Sequence, residues 1–217
     1  MSPRGAQGLL DPGRATGWNA GMFGILLVVL GYLAGSVSAG IVVARLMGLG
    51  DPRQGGSGNP GATNLLRLGG RKAAAITLIA DGLKGVVPVL IAHLAGVSPW
   101  MLAAVGLAAF LGHLYPVFFG FRGGKGIATG LGVMLAWAWP VGLAVVGTWL
   151  VVAALARISS LAALLSFALA PVYCLVLIGS PALAAAAGAM AGLTAWRHRG
   201  NIHRIAAGTE PRIGKGK

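Results

Sequence analysis

The sequence predicts an all-α membrane protein, a polytopic bundle of about seven transmembrane helices. The 217-residue chain is 56% hydrophobic and only 10% charged, whereas soluble domains carry about 25% charged residues. Its mean hydropathy is +0.81. The apolar residues form runs long enough to cross a bilayer as helices, and they do not alternate with polar residues as the strands of a membrane barrel would.

Seven apolar segments follow a polar tail at residues 1–20, which we expect to be disordered. We place the segments at 21–45, 73–95, 98–118, 126–139, 141–157, 160–178 and 182–196. The fourth is short for a hydrocarbon core of about 30 Å, so it either crosses by tilting and local thinning or re-enters the same side. Residues 21–200 are then the transmembrane domain, and residues 201–217 form a C-terminal tail that completes the site.

The basic residues lie on one side of this predicted bundle. Of the 17 lysines and arginines, all but Arg4, Arg14 and Lys84 fall in one alternate set of connections or in the C-terminal tail. Because basic loops remain in the cytoplasm, we expect the N-terminus outside and the C-terminus in the cytoplasm. The net charge of +13 follows from the same tendency and from anionic lipid headgroups, so no nucleic-acid partner is expected.

A polar, glycine-dense segment, GSGNPGATNLLR at residues 56–67, interrupts the apolar chain. Its glycines, Gly56, Gly58 and Gly61, allow backbone N–H groups to point into one concavity. Neutral polar side chains and one positive charge lie beside them: Ser57, Asn59, Thr63, Asn64 and Arg67. Such a cluster suits an anion. The glycines also match the G-x-G-x-x-G dinucleotide pattern, but that pattern requires a preceding strand. A phosphate or acyl-phosphate cradle is favoured over a dinucleotide turn or a plain flexible loop.

A second glycine stretch, GHLYPVFFGFRGGKGIATG at residues 112–130, has the parts of a phosphate site. Gly123, Gly124 and Gly126 permit a phosphate to approach the backbone closely, and Lys125 supplies a positive charge. The next predicted helix begins there, so its unpaired N–H groups point at the same place. It is not a Walker A loop, because a glycine follows the lysine. The alternative is a basic turn in which Arg122 and Lys125 reach lipid headgroups. His113 precedes the stretch and is placed to donate to a phosphate.

The third polar stretch, RHRGNIHRIAAGTEPRIG at residues 197–214, places His198, Asn201 and Arg204 on one helical face. Glu210, one of four acidic residues, is expected to form an ion pair with neighbouring arginines. With so few acids and no G-x-S-x-G elbow, a reaction at this site would depend on positioning and electrostatics. Within the second apolar segment, Asp81 and the lysine three residues later either neutralise each other or line the site.

Together these stretches resemble the three motifs of the bacterial acyl-phosphate:glycerol-3-phosphate acyltransferases, the PlsY-type integral membrane enzymes. DGLKG at residues 81–85 resembles a further signature, and the resemblance covers residues 22–214. It implies transfer of a fatty acyl group from acyl phosphate to the sn-1 hydroxyl of glycerol 3-phosphate, giving lysophosphatidic acid and phosphate. It also implies a multi-pass protein of the bacterial inner membrane with a cytoplasmic active site. No metal, nucleotide or acyl carrier protein is implied.

The resemblance further implies roles for individual residues. Five are expected to be catalytic: Ser57, Arg67, Lys125, His198 and Asn201. Twelve more are expected to contact substrate: Gly56, Gly58, Asn59, Gly61, Thr63, Asn64, His113, Gly123, Gly124, Gly126, Ser160 and Arg204. The competing hypotheses are a transporter or flippase for a phosphorylated or lipid substrate, and a scaffold with lipid-binding loops. A transporter site usually lies near the midplane between internal repeats, and the sequence shows no repeat.

Overall fold

The computed structural model describes residues 12–214, with side chains from residue 21 onward. Within that range the secondary structure is helical and contains no strand. The α-helices are α1 (Pro12–Gly35), α2 (Ala39–Leu46), α3 (Ala62–Leu94), α4 (Pro99–Leu114), α5 (Ile127–Trp137), α6 (Trp139–Ala156), α7 (Ser159–Ile178), α8 (Pro181–Arg197) and α9 (Arg199–Ala206). A short 3₁₀ turn, Val117–Phe119, lies between α4 and α5.

Five segments of this structure are long and apolar enough to cross a membrane. They are Gly21–Leu46, Ala62–Leu94, Pro99–Phe119, Trp139–Ala156 and Ser159–Ile178. The predicted fold class, an all-α polytopic membrane protein, is therefore confirmed. Three further helices are shorter: α5 has 11 residues, α8 has 17 and the polar α9 has 8, and only α5 and α8 coincide with predicted apolar segments. The count of about seven crossings includes both of them and remains a prediction, as does the orientation.

Three element boundaries differ from the sequence-based expectation. Helix α1 begins at Pro12, inside the tail expected to be disordered, whereas residues 1–11 lie outside the described range. The predicted first segment is interrupted at residues 36–38, which separates α2 from α1. Helix α3 begins at Ala62, before the predicted start at residue 73. Gly70, with φ +72°, departs from helical geometry and kinks the helix without ending it. The second half of the first glycine stretch, from Ala62 onward, is therefore helical and not loop.

Glycines allow the central helices to approach at backbone distance. A Cβ atom added to Gly35 would lie 2.0 Å from the Ala109 carbonyl oxygen, where α1 meets α4. One added to Gly132 would lie 2.1 Å from the Gly82 oxygen, where α5 meets α3. Close backbone packing through small residues is the usual basis of helix association in membranes. Large apolar side chains instead cover the outer surface, as with Val176, which is 74% exposed.

Helix α5 is short but lies along most of the length of α4. Near its start, Thr129 Oγ1 lies 3.2 Å from Nδ1 of His113, at the end of α4. At its other end, Trp137 Nε1 donates to the backbone oxygen of Leu102, near the start of α4 (3.1 Å). The two helices are therefore antiparallel neighbours. This arrangement places the second glycine stretch at the end of the bundle where α4 finishes and α5 begins.

Candidate active site

The first glycine stretch folds around the side chain of Asn64, in the first turn of α3. Asn64 is fully buried, and its Oδ1 accepts a hydrogen bond from the backbone N–H of Ser57 (2.8 Å). Its Nδ2 donates to the backbone oxygens of Pro52 (2.9 Å) and Gly55 (3.0 Å). Gly56, with φ +61°, leaves room for this side chain, since a Cβ there would lie 2.1 Å from Asn64 Oδ1. Asn64, predicted to bind substrate, therefore uses its amide group to hold the loop.

The other polar side chains of this stretch face outward. Ser57, Thr63 and Arg67 are exposed and Asn59 is partly exposed, so these predicted site residues are accessible to a ligand. Two glycines shape the turn that presents them: Gly58 (φ +70°) and Gly61, the N-cap of α3. The N-terminus of α3 therefore lies within this stretch, and unpaired N–H groups at a helix N-terminus favour anions.

The second glycine stretch presents Lys125 immediately before the N-terminus of α5. Gly126 is the N-cap of α5 and has φ +83°, a conformation that favours glycine. A Cβ atom at Gly126 would also lie 2.3 Å from the ring of Phe110. The loop therefore sits directly on the apolar core, and Lys125 is itself half-buried. The predicted combination of a lysine and a helix N-terminus is present in the structure.

Two residues, Arg197 and His113, fix this loop through hydrogen bonds to its backbone. Arg197, the last residue of α8, donates to the backbone oxygens of Gly123 (2.7 Å) and Gly124 (3.1 Å). The Arg197 guanidinium also lies 5.8 Å from the ring centroid of Tyr115, in cation–π geometry. From the other side, the Gly124 N–H donates to the backbone oxygen of His113 (3.1 Å). Sequence reasoning did not single out Arg197, whose role depends on a contact with a distant loop.

His113 lies behind the loop rather than at its accessible face. Its side chain is 6% exposed, and its Nδ1 faces Thr129 Oγ1. Its Nε2 lies against the glycine loop, since a Cβ atom at Gly124 would be 2.2 Å away. Because both ring nitrogens face protein atoms, the prediction that His113 donates to a substrate phosphate does not fit the structure. The residue contacts the loop and not the space in front of it.

The third polar stretch brings its residues together around Glu210. Glu210 Oε1 accepts hydrogen bonds from Ser160 Oγ (2.7 Å) and Asn201 Nδ2 (2.6 Å). Its Oε2 accepts from Arg204 Nε (2.7 Å), so the ion pair expected of Glu210 is present. Lys125 completes the network by donating to Asn201 Oδ1. Ser160 and Arg204, predicted to bind substrate, thus hold the carboxylate that orients Asn201.

Charge and burial set the protonation states of the two titratable groups nearest this network. Burial, with the charges of Arg204, Arg197 and Arg67, outweighs the attraction of Glu210 and lowers the pKa of Lys125 to about 8. The lysine is therefore largely cationic at neutral pH. Arg67 and Lys125, from two separate motifs, consequently contribute positive charge to one site.

His198 is neutral at the same pH. Burial and then the Lys125 charge lower its pKa to about 4, and the side chain is 3% exposed. Its Nδ1 lies 2.8 Å from the backbone oxygen of Thr194. Because a carbonyl only accepts hydrogen bonds, Nδ1 carries the proton and Nε2 presents a lone pair. His198 is thus arranged to accept a hydrogen bond from a hydroxyl group.

Arg53, just before the first glycine stretch, connects this part of the chain to the second stretch. It pairs with Asp51 (2.6 Å), and its NH1 donates to the backbone oxygen of Phe119 in the connection between α4 and α5 (3.0 Å). The C-terminal segment is attached at the same end of the bundle, where the Ile213 N–H donates to the Arg157 oxygen (2.7 Å). The three motifs and the α6–α7 turn therefore meet at one end of the protein.

Comparison with known proteins shows which family this chain belongs to. The sequence model of the family described as glycerol-3-phosphate acyltransferase matches residues 25–208. The chain belongs to the glycerol-3-phosphate acyltransferase family. It is 60% identical over 193 residues to a glycerol-3-phosphate acyltransferase of Halorhodospira halophila, covering 89% of this chain and 98% of that protein. Identity to the enzyme of the same name from Methylococcus capsulatus is 57%, with coverages of 87% and 96%.

Two crystal structures of PlsY (YgiH), an integral membrane glycerol 3-phosphate acyltransferase, share the fold. The glycerol 3-phosphate form superposes with a TM-score of 0.84 at 42% identity, covering 88% of this chain and 96% of that one. The lysophosphatidic acid form gives a TM-score of 0.81 at 40% identity, with coverages of 88% and 95%. The predictions of a PlsY-type integral membrane enzyme and of acyltransferase function are confirmed. Nothing in these comparisons supports a transporter.

Proposed function

We propose that this acyltransferase moves a fatty acyl group from acyl phosphate to the sn-1 hydroxyl of glycerol 3-phosphate. The products are lysophosphatidic acid and inorganic phosphate. The observation that carries the proposal is the half-buried Lys125, hydrogen-bonded to Asn201 and surrounded by the positive charges of Arg67, Arg197 and Arg204. Both substrates carry phosphate, and a partly desolvated cationic site binds and polarises phosphate groups strongly.

Each of the remaining polar groups has a role in this proposal. Arg67 and Lys125 hold the two phosphates, with Lys125 stabilising the charge that develops on the leaving phosphate. Asn201, fixed by Glu210, keeps the Lys125 ammonium group in place. The lone pair on His198 Nε2 accepts a hydrogen bond from a hydroxyl of glycerol 3-phosphate, and the exposed Ser57 hydroxyl adds a further contact.

In the reaction, the sn-1 oxygen of glycerol 3-phosphate attacks the carbonyl carbon of acyl phosphate. The new ester C–O bond forms, and the bond between that carbon and the bridging phosphate oxygen breaks. The hydroxyl proton passes to a phosphate oxygen of a substrate. Because phosphate is a good leaving group, the protein needs to supply orientation and charge rather than a strong base.

The acidic residues of the described chain support this assignment of the proton. Asp51 pairs with Arg53, and Asp81 is 2% exposed inside the bundle. Glu210 accepts three hydrogen bonds, from Ser160, Asn201 and Arg204, which lower its pKa although burial raises it. A carboxylate committed in this way is a weak base at neutral pH.

We further propose that the protein lies in the bacterial inner membrane with this site facing the cytoplasm. The basic connections and the C-terminal tail lie at the end of the bundle that carries Lys125, in agreement with the positive-inside rule. Glycerol 3-phosphate is a water-soluble anion, so a cytoplasmic opening gives it direct access. The acyl chain of the donor reaches the same site from the apolar interior of the membrane.

A reconstituted assay tests the proposed reaction. Purified protein in detergent is supplied with palmitoyl phosphate and glycerol 3-phosphate, and lysophosphatidic acid and inorganic phosphate are measured. We expect the two products in equal amounts. Palmitoyl-coenzyme A, which has the same acyl chain but a thioester, serves as the control donor. Product from the thioester alone would refute acyl phosphate as the donor, and absence of product with every donor would refute the proposed reaction.

A further inference from the structure

A cluster of buried polar side chains lies inside the bundle, behind the second glycine stretch. Asp81 Oδ1 lies 2.8 Å from Lys84 Nζ and 3.5 Å from His113 Nδ1. Thr129 Oγ1 lies 3.2 Å from the same His113 nitrogen. All four side chains are at most 8% exposed. Ionisable groups at this depth in a membrane protein are costly and are kept for a function or for a specific structure.

The cluster connects four parts of the fold. Asp81 and Lys84 belong to α3, His113 to α4 and Thr129 to α5. Lys84 Nζ additionally donates to the backbone oxygen of Val37, between α1 and α2 (2.7 Å). Asp81 and Thr129, from two other helices, thus both lie against Nδ1 of His113. The position of His113 therefore depends on how α3 and α5 pack against α4 and not on α4 alone.

His113 also packs directly against the glycine loop. A Cβ atom added to Gly124 would lie 2.2 Å from His113 Nε2, and one added to Gly123 would lie 2.0 Å from the His113 oxygen. The Gly124 N–H donates to that same oxygen. The loop and the histidine are in direct contact, and the residue that follows is Lys125. Any displacement of the imidazole is therefore passed to the backbone that carries the lysine.

We propose that His113, held by Thr129 and by the Asp81 carboxylate that Lys84 pairs with, is a positioning residue that fixes the glycine loop and thereby places the Lys125 ammonium group. The inference rests on the proposed function, in which Lys125 acts on the phosphates. Both ring nitrogens of His113 face the protein, Nδ1 toward Asp81 and Thr129 and Nε2 toward Gly124, so the residue acts through the loop and not on substrate. Displacing a catalytic group by about 1 Å can lower the reaction rate about a hundredfold. A rigid support behind the loop therefore helps to maintain the rate.

The first test replaces the supporting side chain. His113→Ala is expected to lower kcat by about ten- to a hundredfold in the palmitoyl phosphate assay. The matched control is Thr77→Val, in the same helix as Asp81, because the Thr77 hydroxyl is buried without a hydrogen-bond partner in the described part of the chain. We expect its kcat to stay within about twofold of wild type, as for a site without special interactions. Wild-type kcat in His113→Ala would overturn the inference.

A double-mutant cycle distinguishes positioning from a general structural role. Lys125→Arg keeps the charge but abandons the native position of the ammonium group, so the benefit of placing that group is already lost in this background. If His113 acts through Lys125, adding His113→Ala to Lys125→Arg lowers kcat by less than about threefold further. Independent effects would multiply instead, so an equal loss in both backgrounds would refute positioning through Lys125.

The loop side of the contact provides a variant that leaves the buried cluster in place. Gly124→Ala is expected to lower kcat by about tenfold or more, since its methyl group displaces the loop from His113. Gly192→Ala, in α8, is the control because its Cβ would meet nothing within 4 Å. Equal kcat in the two variants would overturn the inference even if His113→Ala does not fold. An inactive wild-type protein would overturn both this inference and the proposed function, whereas an active one with unimpaired variants would overturn only this inference.

Discussion

The ammonium group of Lys125 donates a hydrogen bond to the side-chain oxygen of Asn201, 76 positions further along the chain. Asn201 in turn donates to Glu210, so one amide group connects the glycine loop to the C-terminal segment. The negative charge of Glu210 supports the lysine through this amide without pairing with it directly. Lys125 therefore remains available to a phosphate group while its position is fixed.

The decrease of kcat/KM at alkaline pH should reflect deprotonation of Lys125. With a pKa of about 8, mainly because of burial, the lysine is charged below pH 8 and neutral above it. Since its proposed role requires the charge, kcat/KM should fall as pH rises through about 8, by about tenfold per pH unit beyond it. Lys125→Arg should lose this limb, because a guanidinium stays charged past pH 12. A wild-type profile flat to pH 10 would contradict the role.

Gly56→Ala should damage the first glycine stretch more than a comparable glycine change. Gly56 and Gly48 both have left-handed backbone angles, φ +61° and +67°, so alanine strains both by about 1–2 kcal/mol. Only at Gly56 would the methyl group also collide, 2.1 Å from Asn64 Oδ1, because Gly48 faces open space. We expect Gly56→Ala to lose about tenfold or more in kcat/KM for glycerol 3-phosphate and Gly48→Ala to stay near wild type. Equal rates would show that the Asn64-centred loop is not needed.

Glu210→Gln should destabilise the C-terminal segment. The carboxylate is 7% exposed and accepts three hydrogen bonds, and losing its charge should cost about 1–3 kcal/mol in the free energy of unfolding. Thermal unfolding in detergent measures this loss. Because these bonds lower the pKa of Glu210, the stabilisation is present above the ordinary glutamate pKa and is lost as pH falls through the lowered value. The wild-type advantage should therefore shrink in acid, and an advantage independent of pH would contradict the account.

Cysteine labelling should establish the orientation. The native Cys174 is buried, so background labelling is expected to be low. A cysteine at the exposed Ile213 should react with an impermeant reagent only from the cytoplasmic side. One at the exposed Ser98, in the connection between α3 and α4, should react only from outside. The reverse pattern would overturn the proposed topology.

Much of this arrangement could be predicted from sequence, because the signals were local. Apolar run lengths gave the helices, and the lysine in a glycine loop before a helix pointed to an anion site. The direction of individual side chains could not be predicted. Asn64 and His113 have the chemistry of substrate ligands, but only the packed structure shows that both face the loops they support.

Arg197 illustrates the remaining limit of sequence reasoning. In the sequence it is one arginine among several in a basic segment. Its bonds to the carbonyl oxygens of Gly123 and Gly124 join α8 to a loop more than 70 residues earlier. No local pattern encodes such a contact, since it depends on how two distant helices pack.

The most direct measurement of the central claim is acyl transfer by Lys125→Ala. In the palmitoyl phosphate assay this variant should form no measurable lysophosphatidic acid, because the charge facing the phosphates is removed. Its thermal unfolding temperature should stay close to that of the wild type, since the uncharged side chain relieves a partly buried cation. A folded Lys125→Ala protein with wild-type kcat would contradict the claim that this lysine carries the reaction.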